Sequence, residues 1–276
     1  MVNIIIFSKD RACQLDCLLR SIIRYMYVPH TIYILYTYTT EEYEKGYNKL
    51  IEKCGSTIKF IKEKDFCNDF KTILNYSIYE FTILFVDDTL LIRPIVKDSV
   101  FNRFIHNDNI LSVSLRLCKN SKYTHFNTIE KEIPLPIFID DSMYLWENSG
   151  TPETPHWEHP ITANGQIVRT KVLQHIVSDS QFSNPNMLER VLIKNIPNIE
   201  YALCYNDLRV AEFAINIVNT THTTNIHGDV NIEYLNDMWL KDYEIDIDYW
   251  CKIVYSNPEY QRFMVEPTFS KRLIQK

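Results

Sequence analysis

The chain has 276 residues with a formal net charge of -6; 46% of them are hydrophobic and 23% charged. That is an ordinary globular composition, long enough for one large domain or two small ones, and its negative balance excludes broad, phosphate-driven binding of nucleic acid. No run reaches the ~18 apolar residues of a membrane span, and the seven cysteines contain no Cys-x-x-Cys pair, which suits reduced, buried thiols better than a disulfide framework.

The opening MVNIIIFSKDRA has no basic leader and too short an apolar run for a secretory signal, so a cytoplasmic location is expected. Residues 3–7 (NIIIF) read as a first strand. Leu15, Leu18, Leu19, Ile22 and Ile23 then recur at helical spacing, which predicts a helix over 10–26 with Ser8 or Asp10 near its cap. Cys13 and Cys17, one helical turn apart, are expected to pack rather than bind metal. Strands over 31–37, 57–62 and 81–86 alternate with helices over 41–54, the first ending before Gly55, and 69–79. Such alternation implies right-handed crossovers and a mostly parallel sheet.

Beyond Pro94 the alternation loosens. A helix is expected over 96–106, and strands over 110–117, 138–146 and 166–170, the last followed by a helix through 177. Residues 147–164, rich in Pro, Thr and His, read as a long loop of the kind that is often functional. A helix opens at Asn184-Pro185-Asn186 and runs over 187–195; short strands follow at 201–205 and 214–218. The expected organisation is one α/β domain over 1–228, with a nucleotide-binding half (1–95) and an acceptor half (96–228), and a helical extension over 229–276 ending in a basic tail.

The most informative stretch is FTILFVDDTLLIRP, where an apolar strand runs into Asp87 and Asp88. In open α/β sheets, ligands bind beyond the carboxyl ends of strands. Adjacent carboxylates repel unless a hard cation or hydrogen-bond donors neutralise them, and a divalent ion carrying phosphates suits that place. The plain alternative is that one Asp caps a turn and the other is solvated.

Three features together resemble the GT-A glycosyltransferases, the nucleotide-diphospho-sugar transferase superfamily, in the form of its bacterial and viral family-two-like members. A strand ends in a polar turn at the start, IIIFSKDRACQLDCLLRSI; strand–helix units lead to a strand closing on VDD, where that family carries its DxD-type signature; and WEHPITANGQIVRT followed by SNPNMLE resembles the acceptor half. The sequence departs from the signature at Val86, leaving an xDD form. The resemblance covers roughly residues 1–225 and implies a Rossmann-like GT-A fold.

It also implies roles. Asp88 would ligate Mn²⁺ or Mg²⁺, with Asp87 on ribose or a metal-bound water and His222 completing the shell. The turn Ser8, Lys9, Asp10 and Arg11 would line the nucleotide pocket, joined by Asp69 and Lys71. Glu189, at the start of a helix, would be the general base, with Asp141 beside Asp140 as a competitor. Trp157 would stack on a sugar face or anchor its loop. Trp239, Trp250, Phe263 and Phe269, with Arg262, Lys271 and Arg272, would either cap the sheet or make peripheral contact with a membrane. The function so implied is metal-dependent transfer of a sugar from a nucleoside-diphosphate-sugar donor to a hydroxyl of a glycan or similar acceptor. The alternatives are a sugar nucleotidyltransferase, whose usual Gly-rich loop SKDR lacks, and a non-catalytic carbohydrate- or partner-binding module.

Overall fold

Alternation along the first strand sets the architecture. In β1 (Val2–Lys9), Ile4 and Ile6 join one apolar cluster while Ile5 and Phe7 join another, because successive side chains leave a strand on opposite faces. A strand apolar on both faces needs helices on both. A computed structural model describes residues 1–122, 133–147, 157, 159, 161–218 and 227–272, and in it the helices fall on two sides accordingly.

The chain continues through α1 (Ala12–Tyr25), β2 (His30–Thr37), α2 (Glu41–Cys54), β3 (Lys59–Lys62), α3 (Phe66–Tyr76), β4 (Phe81–Val86), β5 (Thr89–Leu91), α4 (Ser99–Ile105) and β6 (Ile110–Ser114). Then come β7 (Phe138–Ile139), β8 (Met143–Glu147), β9 (Gln166–Arg169), α5 (Thr170–Val177), α6 (Pro185–Lys194), β10 (Tyr201–Tyr205) and β11 (Val210–Phe213). The last elements are α7 (Ile232–Leu240), β12 (Tyr243–Ile245), α8 (Ile247–Ser256), β13 (Arg262–Phe263) and β14 (Phe269–Lys271). Residues of α1, α2, α4, α7 and α8 share the cluster of Ile4 and Ile6; those of α3, α5 and α6 share that of Ile5 and Phe7.

The main sheet has the order β3-β2-β1-β4-β9-β6-β10-β8-β7. The strands β3, β2, β1 and β4 are mutually parallel. Only β9 and β8 oppose the common direction, so seven of the nine strands point one way. This is the Rossmann-like α/β half, extended by a mixed half, that the GT-A resemblance implies. A second sheet, β13-β11-β5, crosses just beyond β4, and the Phe213 N–H donates to the Asp88 carbonyl at 2.8 Å. The acidic pair is thereby fixed between two sheets.

Several boundaries differ from the sequence reading for local reasons. Neither Ser8 nor Asp10 caps α1: its cap position is Arg11, without a side-chain bond, and Asp10 takes a left-handed φ of 59°. The third helix starts at Phe66, capped by the Asp65 carboxylate on the Asn68 N–H. Residues 138–146 are a hairpin rather than one strand, turned by Asp140, whose Oδ1 accepts from the Ser142 and Met143 backbone. The strand expected at 214–218 is instead β11, four residues earlier at its start. Among the described residues, the region after 229 holds two helices but also three short strands, one of them paired with β11. Trp239, Trp250 and Phe263 are buried in the core and present no membrane face. No helix among the described residues is long and apolar enough to cross a membrane. All seven cysteines are free thiols.

Candidate active site

The carboxyl ends of β1, β2, β3 and β4 open into a cleft of about 570 Å³. Its floor is the contact between the first turn and the acidic pair. Asp87 is buried, and its Oδ2 accepts from Ser8 Oγ (2.9 Å) and the Lys9 N–H (3.1 Å). Arg11 Nη1 donates to Asp87 Oδ1 and to Asp88 Oδ2, each at 3.0 Å, and Nη2 donates to the Asn216 carbonyl at 2.7 Å. Tyr47 locks the turn: its hydroxyl lies 2.6 Å from Ser8 Oγ and accepts the Arg11 N–H at 3.2 Å.

Arg11 therefore supplies the positive charge that two adjacent carboxylates require. It is only 6% exposed, and burial alone would lower its pKa; the charges of Asp87 and Asp88 reverse that and raise it. For Asp87, burial dominates and pushes the carboxyl up to about 6, with Arg11 opposing and Asp88 reinforcing. With three donors already on it, Asp87 organises the turn. Asp88 differs: its Oδ1 takes no hydrogen bond from the described residues, and it lines the cleft.

The opposite wall comes from the second half of the chain. Glu189, in the second turn of α6 behind the Asn184 cap and Pro185, lines the cleft. Burial raises its pKa above the ordinary range, against the Arg116 charge and aided by Glu212. Glu212 on β11 is buried in a polar cluster: its Oε1 accepts from Asn164 Nδ2 at 2.7 Å and lies 3.1 Å from Arg116 Nη1, while Arg262 Nη1 is 3.9 Å from Oε2. All four of these side chains line the cleft.

Ser8, Lys9, Arg11, Asp87, Asp88 and Glu189 are thus brought together as the sequence suggested. Five other expected residues are not. Asp10 turns away and accepts from the Thr39 N–H (2.7 Å) and hydroxyl (3.0 Å). Asp69 accepts the Lys64 and Asp65 N–H groups, and Lys71 donates to the Ser178 and Ser180 carbonyls, both outside the cleft lining. Trp157 is 4% exposed, with its ring edge-on to Trp146 at 4.8 Å and its Nε1 donating to the Ser121 carbonyl: it anchors its loop. Asp141 is exposed at the hairpin turn, away from the cleft. His222 lies outside the described residues.

The sequence reading missed Arg116, Asn164, Glu212 and Arg262. One signal was available: Glu212 interrupts the apolar run VAEF, and a charge inside a buried strand must be paired. Among the described residues no three His, Cys, Asp or Glu side chains gather round a common point for a metal. Asp88, whose Oδ1 takes no hydrogen bond from the described residues, would offer a hard ion a single carboxylate oxygen.

No protein-family model matches the chain. It is 24% identical to the bifunctional glycosyltransferase pgtA of Dictyostelium discoideum, in an alignment covering 75% of this chain and 30% of that protein, so the chain spans less than a third of its relative's length. Among solved structures it is similar to S. aureus TarS 1-349 in complex with UDP, at 13% identity over 74% of this chain and 60% of that one, with a TM-score of 0.45. It is likewise similar to 4-diphosphocytidyl-2C-methyl-D-erythritol synthase from Anaerococcus prevotii DSM 20548, at 12% identity over 87% of this chain and 96% of that one, with a TM-score of 0.40.

Proposed function

We propose that the chain is a glycosyltransferase that moves a sugar from a nucleoside-diphosphate donor to a hydroxyl of a glycan or similar acceptor. The observation that carries this reading is the pairing, across one cleft, of Asp88 with a free carboxylate oxygen and Glu189 with a raised pKa. The similarity to a glycosyltransferase supports it. In this reading the residues before 95 that line the cleft would form the nucleotide wall and those after it the acceptor wall, with Arg262 contributing from the C-terminal segment.

In this reading the bond from the sugar carbon to the leaving diphosphate breaks while a bond from that carbon to the acceptor oxygen forms. Glu189 takes the acceptor proton on its carboxylate, and its raised pKa makes it a stronger base than an exposed Glu. Arg11 offsets one of the two carboxylate charges, which lowers the repulsion that an anionic leaving group meets at the acidic floor. Asp88 would hold Mn²⁺ or Mg²⁺, which supplies further charge neutralisation on the diphosphate. Arg116, Asn164 and Glu212 form a rigid polar wall with which acceptor hydroxyls can bond.

The test is thermal unfolding with UDP, GDP, CDP and dTDP, with and without Mn²⁺. A ligand that binds only the folded chain raises the midpoint by mass action. The expected outcome is a shift that requires Mn²⁺ and disappears in Asp88→Ala. Glu189→Gln should keep that shift yet lose about a hundredfold or more in transfer rate. No shift with any nucleotide rejects the reading.

A further inference from the structure

The nucleotide end of the cleft holds a side chain that the reaction above does not use. Glu63 directly follows β3, and its backbone N–H donates to the Tyr36 carbonyl at 2.8 Å, which extends the pairing with β2 and fixes its direction. It lines the cleft together with Phe7, Leu35 and Phe66, whose buried side chains form an apolar ledge. Its carboxylate takes no hydrogen bond from the described residues. It is partly buried; burial raises its pKa, with Asp69 and Asp65 reinforcing and Lys9 opposing. An acceptor that is losing water and has no partner in the protein is positioned for a ligand's N–H groups.

Resting on the donor reading above, we infer that Glu63 reads the base of the donor nucleotide and selects guanine. Position identifies the base rather than the ribose. In the order β3-β2-β1-β4, Glu63 is three strands from Asp88, and at ~4.8 Å per strand that is roughly 14 Å along the sheet edge. A nucleoside diphosphate extended from its terminal phosphate to the far edge of its base spans a similar length. Thr37, at the end of β2 between them, lines the stretch where the ribose would lie. The apolar ledge of Phe7, Leu35 and Phe66 then takes the face of the ring.

Chemistry selects the base. An ionised carboxylate only accepts hydrogen bonds. Guanine offers two adjacent donors, N1–H and the 2-amino group, which fit the two oxygens together. Adenine and cytosine present a single amino group beside a ring acceptor. Uracil and thymine present one N–H flanked by carbonyl oxygens, which the carboxylate repels. A bidentate pair of this kind discriminates by about tenfold to a hundredfold.

The experiment is calorimetric titration of the full chain with GDP, IDP, UDP, CDP and ADP in Mn²⁺. IDP is the key probe, because it lacks only the 2-amino group. GDP is expected to bind at least about tenfold more tightly than UDP, CDP and ADP, and more tightly than IDP. Glu63→Gln, which keeps shape but puts an amide donor against a donor, should remove the GDP–IDP difference and, by lifting the repulsion on uracil's carbonyl oxygens, should leave UDP bound at least as tightly as before. If UDP binds as tightly as GDP, or GDP and IDP bind alike in the unaltered chain, the guanine assignment is overturned while the donor reading stands. If no nucleotide binds, both fall together.

Discussion

Arg11 is the residue on which the acidic floor depends, since one nitrogen, Nη1, faces both Asp87 and Asp88. Removing one partner of a buried charge group leaves uncompensated charge and costs about 3–5 kcal/mol. Arg11→Met should therefore destabilise the fold by that order, read as a lower urea midpoint. The loss should also depend on pH. The folded Asp87 carboxyl lies near 6, above its ordinary 3.8. A raised carboxyl favours the protonated folded state, so its contribution is fully present below about pH 4 and is lost as pH rises through about 6. Without the guanidinium the carboxyl rises further, and the deficit of Arg11→Met should be larger at pH 8 than at pH 5. An equal deficit at both values would mean that Arg11 acts through packing alone. Arg11→Lys should recover only part of the loss, because an ammonium is a point donor and cannot also reach the Asn216 carbonyl as the planar fork does.

At the scale of elements, the entry to β9 shows how the second half of the cleft is held. Gly165 has φ of +72°, and a Cβ there would stand 2.6 Å from Arg116 Cγ and 2.8 Å from its Cδ. The same residue donates its N–H to the Leu84 carbonyl and accepts from the Leu115 N–H, joining β4 to the end of β6. Gly165→Ala should cost more than about 1 kcal/mol from the backbone alone, and should displace Arg116 from Glu212. The expected result is a lower midpoint together with a reduced transfer rate, whereas loss of stability with an unchanged rate would show that Arg116 does not orient substrate. Elements like this mark where the sequence stops being legible. The helix over 41–54 was readable to the residue because its signals are local: the Thr40 hydroxyl accepts the Tyr43 N–H, and Gly55 ends it. The apolar strand into Asp87-Asp88 was readable for the same reason, and so was the place of the cleft. The strand β11 was not, because Glu212 is tolerated there only through Arg116 and Asn164, partners about 50 to 100 residues away in the chain. Trp157 was open in the sequence between a sugar platform and a loop anchor, because its partners, Trp146 and the Ser121 carbonyl, lie 11 and 36 residues away.

At the scale of the whole molecule, the C-terminal segment is part of the core that carries the site. Trp239 of α7 is fully buried, and its Nε1 donates to the Gly46 carbonyl of α2 at 3.0 Å. The ammonium groups of Lys49 and Lys53 lie 5.0 and 5.2 Å from its ring. Lys53 also bonds Asp16 at 2.6 Å and Glu244 at 2.9 Å, so α1, α2 and the segment after α7 share one partly buried ionic group. Through α2 this packing reaches Tyr47, and through Tyr47 the turn that presents Arg11 to the acidic pair. Trp239→Ala should cost about 3–5 kcal/mol by cavity formation. Its effect should extend to nucleotide binding, because a looser α2 frees the Tyr47 hydroxyl from Ser8 and Arg11. The measurement is the urea midpoint and the Mn²⁺-dependent nucleotide affinity of the same variant, both under conditions where it remains folded. A lower midpoint with weakened nucleotide binding is expected. A lower midpoint with unaltered binding would show that the first turn holds its geometry independently of the C-terminal packing, and would confine the role of this segment to stability and to Arg262 at the far wall of the cleft.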